Sequence, residues 1–155
     1  MRQPRRTTVA TVGYQAATVD SFVRALQAAG VELLVDVRAV ASSRRPGFSK
    51  SRLAANLADV GIGYVHLRGL GTPAAGRAAA RAGRHARMRS IFREHLRTLE
   101  AQAELDQLRE LASAGRRVCL LCFEADPQHC HRTLVAEALA ARMPIEVLEL
   151  RPGQP

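Results

Sequence analysis

The sequence predicts an α/β fold, a three-layer sandwich built on a mainly parallel, Rossmann-like sheet of about five strands. Five short apolar runs alternate with longer segments whose apolar residues recur at helical spacing. Such alternation favours parallel strands joined by right-handed helical crossovers, with helices on both faces of the sheet. With 155 residues, 47% of them apolar, one domain is expected over residues 1–155, with its core over about 8–150 and a basic tail over 1–6.

The first half of the chain begins with a strand–helix–strand unit. Residues 7–14 are β-branched or apolar and form the first predicted strand. Thr18 is the expected N-cap of a helix that ends at Gly30, and residues 31–37 form the second strand. The loop over residues 38–50 has consecutive cations and a Pro-Gly break, so it is expected to be exposed before the next helix begins.

The second half of the chain continues the alternation. A short third strand over residues 63–67 carries Tyr64 and His66 on one face, because side chains alternate along a strand. Residues 68–85 are rich in Gly and Ala and fit no single element. The remaining predictions are helices over residues 88–99 and 100–114, a strand over 117–122, a helix over 133–142 and a strand over 145–150.

The charge of the chain is strongly positive. Lys and Arg number 23 against 14 Asp and Glu, and all but one of the cations are Arg. This favours an anionic ligand, with nucleic acid and nucleotides among the candidates, although a coding preference for Arg over Lys explains the composition equally well. An Arg-rich run over residues 77–97 is either a surface that binds phosphates or a solvated helix face. Its few aromatic residues argue against stacking of single-stranded bases.

Cysteine usage and hydropathy bear on the compartment. The three cysteines are an odd number, no secretory leader is visible and no apolar run approaches the length of a membrane span. The expectation is a cytoplasmic protein with free thiols and no membrane contact. The sequence leaves the cofactor and the oligomeric state open.

The most informative stretch covers residues 118–132, a predicted strand, a polar loop and the first turn of a helix. It carries Cys122, Glu124, Cys130, His131 and Arg132. Ligands of open α/β sheets bind at the carboxyl ends of strands, so this junction is the expected site. Cys130 is a candidate nucleophile because a helix N-terminus and neighbouring cations favour the thiolate, and Cys122 is a second candidate.

Metal binding at these residues is a less favoured alternative, and no metal ligand is assigned. Cys119 and Cys122 have the spacing of a zinc knuckle, but residues three apart on a strand point to opposite faces. A site that combines Cys122 with Cys130, His131 or His66 is geometrically possible. A dinucleotide fingerprint over residues 69–74 is disfavoured, because a proline interrupts its helix start.

Several short motifs occur in a recognisable order. They are Thr11-Val-Gly13, Val35-Asp36-Val37-Arg38, Ser43-Arg44, Pro46-Gly-Phe48-Ser49, Gly61-x-x-Tyr64-x-His66-Leu67, Leu70-Gly71 and Leu121-Cys122-Phe123-Glu124 followed by Cys130-His131-Arg132. In this order they resemble the domain of unknown function 488 family. The resemblance implies a compact α/β sandwich in small bacterial and archaeal cytoplasmic proteins, and it implies no particular reaction.

The resemblance also groups residues into one site. It joins Asp36, Arg38 and His66 to Cys122, Glu124, Cys130, His131 and Arg132. Two positions depart from the family pattern: Tyr14-Gln15 stands where His-Ser is frequent, and Ala41 stands where Pro is usual. The first departure puts a catalytic role for that position in doubt, and the second affects the stiffness of the loop.

Together these observations predict an enzyme acting on a phosphorylated, nucleotide-like or nucleic-acid-like substrate. The catalytic candidates are Cys122, Glu124, Cys130, His131 and His66. The candidates for binding the anion or substrate are Asp36, Arg38, Ser43, Arg44, Tyr64 and Arg132. A non-enzymatic module that binds nucleic acid or nucleotides is the first alternative, and a metal-binding Cys/His protein is the second.

Overall fold

The computed structural model describes residues 6–153 and contains one sheet of five parallel strands flanked by helices. Of the predicted basic tail, only Arg6 lies within the described residues. The strands are β1 (Thr7–Gly13), β2 (Leu33–Asp36), β3 (Gly63–His66), β4 (Val118–Cys122) and β5 (Ile145–Leu150). The helices are α1 (Val19–Ala28), α2 (Lys50–Ala58), α3 (Ala74–Arg81), α4 (His85–His95), α5 (Leu99–Ser113) and α6 (Arg132–Ala140). Two 3-10 turns cover Arg68–Leu70 and Pro127–His129.

The order of the strands places β4 in the middle of the sheet. The order is β3-β2-β4-β1-β5, and every pairing is parallel. In this register Gly13 of β1 pairs with Cys122 of β4, and Asp36 of β2 pairs with Leu121 of β4 and His66 of β3. The carboxyl ends of four strands therefore meet at one edge of the sheet, where ligands of such folds bind.

The two faces of the sheet pack against separate apolar cores, which gives the three predicted layers. Helices α1 and α2 cover one face, and α3 to α6 contribute to the core on the other. Successive residues of β4 alternate between the cores, so Cys119 lies in the first and Cys122 in the second. The prediction that these two cysteines point to opposite faces is confirmed.

Most predicted elements are confirmed within a few residues. Thr18 caps α1 through a capping box, in which its Oγ1 accepts from the backbone N–H of Ser21 at 3.1 Å. The unplaced residues 68–85 form a 3-10 turn and helix α3, and α4 begins earlier than predicted, at His85. The predicted helix over residues 88–99 ends earlier in the structure, with α4. Beyond its end Leu96 packs against the core, whereas Leu99 is 89% exposed.

The helices of residues 6–153 are too short or too polar to cross a membrane.

Candidate active site

The cysteine motif forms a strand–loop–helix junction at the carboxyl edge of the sheet. Cys122 ends β4, and Cys130 and His131 lie immediately before α6. Asp126 caps the intervening 3-10 turn, its carboxylate accepting from the backbone N–H of Gln128 at 2.9 Å. The loop also passes so close to β1 that a Cβ on Gly13 would lie 1.7 Å from the carbonyl oxygen of Glu124.

The side chains of Cys122, Cys130 and His131 converge on one point. His131 Nδ1 lies 3.4 Å from Cys122 Sγ and 4.0 Å from Cys130 Sγ. The two sulfurs and one ring nitrogen all lie within 4.8 Å of one another, so these three buried residues could hold a metal ion. His131 Nε2 lies 2.7 Å from the carbonyl oxygen of Val37. Because a carbonyl only accepts, Nε2 carries the proton of this hydrogen bond and Nδ1 faces the two sulfurs.

The pKa values of the two thiols in the cluster are shifted in opposite directions. Burial alone would raise the pKa of Cys130, but hydrogen bonds from Cys122 and His131 and the charges of His131 and Arg132 outweigh it and hold that pKa well below its usual range. The pKa of Cys122 is raised well above its usual range by its hydrogen bond to Cys130, by burial and by the negative charge of Cys130. Cys130 is therefore the thiol that ionises first, and its negative charge disfavours ionisation of Cys122.

The negative charge of Cys130 also shifts the pKa values of Glu124 and His131. Burial, together with the negative charge of Cys130, raises the pKa of Glu124 to about 7. Burial would lower the pKa of His131, but its hydrogen bond and charge interaction with Cys130 raise it. Glu124 Oε2 lies 3.8 Å from Cys122 Sγ, so a carboxyl, an imidazole and two thiols lie in one contact network.

A cavity of about 520 Å³ opens beside this cluster. Cys122, Glu124 and His131 line it, whereas Cys130 lines a neighbouring pocket of about 320 Å³. The other residues around the larger cavity are Tyr14, Gln15, Arg38, Ala39, Val40, Ser42, Thr72, Arg77, Ala80, Arg81, His85, Met88, Phe123, Asp126 and His129. The cavity therefore combines the reactive side chains of the motif with cations from elsewhere in the chain.

Arg38, a predicted anion-binding residue, is held by protein groups. Its Nε and Nη2 donate to the two carboxylate oxygens of Asp36 at 2.9 and 2.7 Å, and its Nη1 donates to the hydroxyl of Tyr14 and the carbonyl of Phe48. Tyr64 donates to the same Asp36 carboxylate at 2.5 Å. Burial would lower the pKa of Arg38, but the hydrogen bond and charge of Asp36 raise it. Most donors of Arg38 are thus already occupied.

Arg132 donates from both Nη atoms to protein groups that hold the loop, whereas its buried Nε has no hydrogen-bond partner among residues 6–153. It is fully buried, and its Nη1 donates to the carbonyl of Glu124 at 2.5 Å. Its Nη2 donates to the carbonyl of Ala125 at 3.2 Å and to the carboxylate of Glu149, on β5, at 2.9 Å. Arg132 is not among the residues that line the larger cavity. Its contacts fix the loop that carries Glu124.

The remaining predicted residues do not line the cavity. His66 donates from Nε2 to the carbonyl of Arg38 at 2.6 Å, which supports the end of β2. Asp36, Tyr64, Ser43 and Arg44 are also absent from the lining. The structure therefore brings Cys122, Glu124, His131 and Arg38 to the cavity wall, whereas the other predicted residues at the ends of β2 and β3 do not line it.

The cysteine motif does not identify four polar residues of the cavity, Arg77, Arg81, His85 and His129. The two arginines belong to the Arg-rich run for which a phosphate-binding surface is one predicted alternative. Arg77 and Arg81 lie one turn apart on α3, within the segment that periodicity did not place. Their spacing of four residues, with a small residue between them at Ala80, was the available signal for a shared helix face. His85 and His129 stack with ring centroids 4.0 Å apart, a contact between distant segments that no local pattern reveals.

Fold and site together define an α/β protein with a cysteine–histidine–carboxylate cluster at the carboxyl edge of a parallel sheet. The family described as Domain of unknown function DUF488 matches residues 18–139, which include the cluster and helix α3, so the chain belongs to this family. Neither the curated proteins nor the solved structures gave a significant match to the chain.

Proposed function

We propose that the protein is an enzyme that acts on a small phosphorylated molecule bound in the 520 Å³ cavity. One observation carries the proposal: Cys122, Glu124 and His131 line the same cavity as Arg77 and Arg81. Concave sites with a few converging polar groups at the carboxyl edge of a parallel sheet are typical of enzymes with this architecture.

The size of the cavity favours a small molecule. Ligand cavities of about 300–1,000 Å³ are typical for metabolites and cofactors. A volume of about 520 Å³ fits a substrate such as a nucleoside monophosphate. Duplex nucleic acid, in contrast, is bound by extended charged surfaces.

The cations that line the cavity support an anionic group on the substrate. Arg77 Nη1 donates to the carbonyl of Thr72 at 3.0 Å, which orients its guanidinium on the cavity wall. Arg81 follows one helical turn later and is exposed. His85 Nδ1 is buried and has no hydrogen-bond partner within residues 6–153, which leaves it available to a ligand. Guanidinium and imidazole donors are well suited to phosphate oxygens.

The reactive groups lie on another part of the cavity wall. Cys122 contributes a sulfur, His131 an imidazole and Glu124 a carboxyl within contact distance of that sulfur. Such a set can transfer protons and, once the Cys122 thiol has given up its proton, supply a nucleophile or ligand at one place. The arrangement supports group transfer or hydrolysis at a substrate whose anionic end is held by α3.

Binding of a phosphorylated probe tests the substrate class. We expect pyrophosphate or a nucleoside monophosphate to bind the wild-type protein in a calorimetric titration. Replacement Arg81→Ala should weaken binding by about 10-fold or more, because it removes a charge-assisted hydrogen bond. The matched control is Arg87→Ala, an exposed arginine of α4 that does not line the cavity.

Two results would contradict the proposal. One is an equal effect of Arg81→Ala and Arg87→Ala on the affinity for the probe. The other is no binding of either probe, together with salt-sensitive binding of duplex DNA that Arg87→Ala or Arg93→Ala abolishes and Cys130→Ser leaves unchanged. The second result would favour the non-enzymatic nucleic-acid-binding module.

Turnover is tested with a panel of phosphate esters and anhydrides, by assay of the released product. We expect Glu124→Gln to abolish turnover of an accepted substrate and to retain its binding, because the amide cannot transfer a proton. Turnover by Glu124→Gln at the wild-type rate would remove Glu124 from the mechanism.

A further inference from the structure

We infer that Cys122, Cys130 and His131 bind a divalent transition-metal ion, with zinc the best fit, and leave its fourth coordination position open toward the cavity. This inference rests on the proposed enzyme site and deepens it, because it names the cofactor that the same residues would hold. Two cysteines and one histidine are a ligand set of catalytic zinc sites, in which three protein ligands leave a position for water or substrate.

The separations of the three ligand atoms match a tetrahedral ion. With bonds of about 2.3 Å to sulfur and about 2.0–2.1 Å to nitrogen, adjacent ligand atoms around zinc lie about 3.6–3.8 Å apart. His131 Nδ1 lies 3.4 and 4.0 Å from the two sulfurs, and all three ligand atoms lie within 4.8 Å of one another. The ligand atoms must therefore move relative to one another by no more than about 1 Å to reach metal-bonding geometry.

The orientation of His131 is that of a metal ligand. Its Nε2–H donates to the carbonyl of Val37 at 2.7 Å, which leaves Nδ1 facing the two sulfurs, where it would bind an ion in its unprotonated form. Metal-bound histidines almost always make such a hydrogen bond from their other ring nitrogen. Phe92, fully buried, packs edge-on against the imidazole with ring centroids 5.0 Å apart and restricts its rotation.

Charge balance also favours a divalent ion. Cys122, Cys130 and His131 are each at most 6% exposed. A divalent ion would offset the charge of both thiolates, because two thiolates, a neutral imidazole and a divalent cation have no net charge. Thiolate and imidazole ligands in tetrahedral arrangement select zinc over magnesium or calcium.

The cavity supplies access to the fourth position. Cys122 and His131 line the cavity, so an ion bound between them is reachable from it. Glu124 lines the same wall with its carboxylate 3.8 Å from Cys122 Sγ, so it would be the nearest carboxylate to accept a proton from a water held at such an ion.

Cobalt substitution tests the site in the wild-type protein. Protein purified without a histidine tag and stripped with a chelator is titrated with Co²⁺ and followed by absorption spectroscopy. We expect one equivalent to bind, with an intense charge-transfer band from cysteine thiolates and visible bands of a tetrahedral ion. Zinc should displace cobalt, and zinc-loaded protein should resist alkylation at Cys122 and Cys130. Absence of the thiolate band would overturn the inference.

Matched variants identify the ligands. Cys122→Ala, Cys130→Ser and His131→Gln should each lower cobalt affinity by about 100-fold or more, since removal of even a supporting group of a metal site typically costs 10–100-fold. Cys119→Ala is the control, because Cys119 lies in the same strand and points into the opposite core. An equal loss in Cys119→Ala would overturn the assignment. A ligand variant that does not fold leaves the decision to the wild-type spectrum.

The metal site and the proposed substrate class can be contradicted independently of each other. If pyrophosphate binds with the predicted sensitivity to Arg81→Ala but cobalt gives no thiolate band, only the metal site is wrong. If cobalt binds with the thiolate band but neither phosphorylated probe binds, the substrate class is wrong and the metal site stands.

Discussion

At the scale of single residues, the site depends on residues outside the cysteine–histidine cluster that shape and support it. Gly13 allows β1 to pass against the loop that carries Glu124, because any Cβ there would overlap that loop's backbone. Asp36 is fully buried and anchors Tyr64 and the cavity residue Arg38. The motif predicted Cys122, Glu124 and His131 at the site, but it could not show that Arg38 and Arg132 are occupied by protein partners.

Replacement Gly13→Ala tests the close approach. Its Cβ would lie 1.7 Å from the Glu124 carbonyl oxygen, so the loop must move, and we expect a loss of about 1–3 kcal/mol or more in the free energy of unfolding. The loss is measured by urea denaturation. Gly63→Ala is the matched control, because its closest neighbour, at 2.8 Å, is the end of the flexible Arg116 side chain. Equal losses in the two variants would contradict this interpretation.

Replacement Asp36→Asn tests the buried ion pair. Arg38 would remain buried with its main counterion removed, so we expect a loss of about 3–5 kcal/mol in the free energy of unfolding. Tyr64→Phe removes one hydrogen bond to the same carboxylate and should cost about 1–3 kcal/mol. If both variants lose the same amount in urea denaturation, the ion pair is not what stabilises this end of β2.

At the scale of elements, the junction between β4 and α6 was predictable and helix α3 was not. The apolar run of β4, the polar loop and the apolar stripe of α6 are local patterns, so periodicity located the junction. Helix α3, AAGRAAAR, has no large apolar residue, and Gly71, three residues before it, lies so close to Ala39 that a Cβ would be 2.3 Å from the Ala39 backbone. Local sequence patterns do not encode this approach between Gly71 and Ala39, so they could not place the arginines of α3 at the cavity.

Helix α5 carries a carboxylate that should make stability depend on pH. Burial raises the pKa of Glu104 and the charge of Glu100 adds to this, although a backbone hydrogen bond from Gly69 opposes it. The folded state therefore holds this proton more tightly than the unfolded chain. This contribution lowers stability as pH rises from the ordinary carboxyl pKa to the raised folded value, and the loss persists above it.

Replacement Glu104→Gln removes this titration. We expect the variant to be more stable than the wild-type protein at neutral pH, with the difference vanishing below the ordinary carboxyl pKa. Thermal unfolding across this pH range measures it. Glu110→Gln, an exposed position of the same helix, should show no comparable trend. A Glu104→Gln variant that is less stable than the wild type at neutral pH would reverse the assigned sign.

At the scale of the whole molecule, the order of the strands creates the site. The alternation of elements predicted a parallel sheet and three layers, both of which are confirmed, but it did not give the order β3-β2-β4-β1-β5. That order sets β4 between β2 and β1, so the Val37 carbonyl that orients His131 follows directly after the neighbouring strand. The cavity then lies between this edge and the α3–α4 segment, which contacts between distant residues bring together.

Protection of Cys122 from alkylation tests most directly whether the cysteine cluster and the cations of α3 share one cavity. Metal-free protein is treated with iodoacetamide with and without saturating pyrophosphate, and mass spectrometry gives the rate at each cysteine. We predict that pyrophosphate slows alkylation of Cys122, that Arg81→Ala loses this protection and that Cys119 stays unreactive in the folded protein. Pyrophosphate that binds yet leaves the Cys122 rate unchanged would place the anion elsewhere and contradict the account.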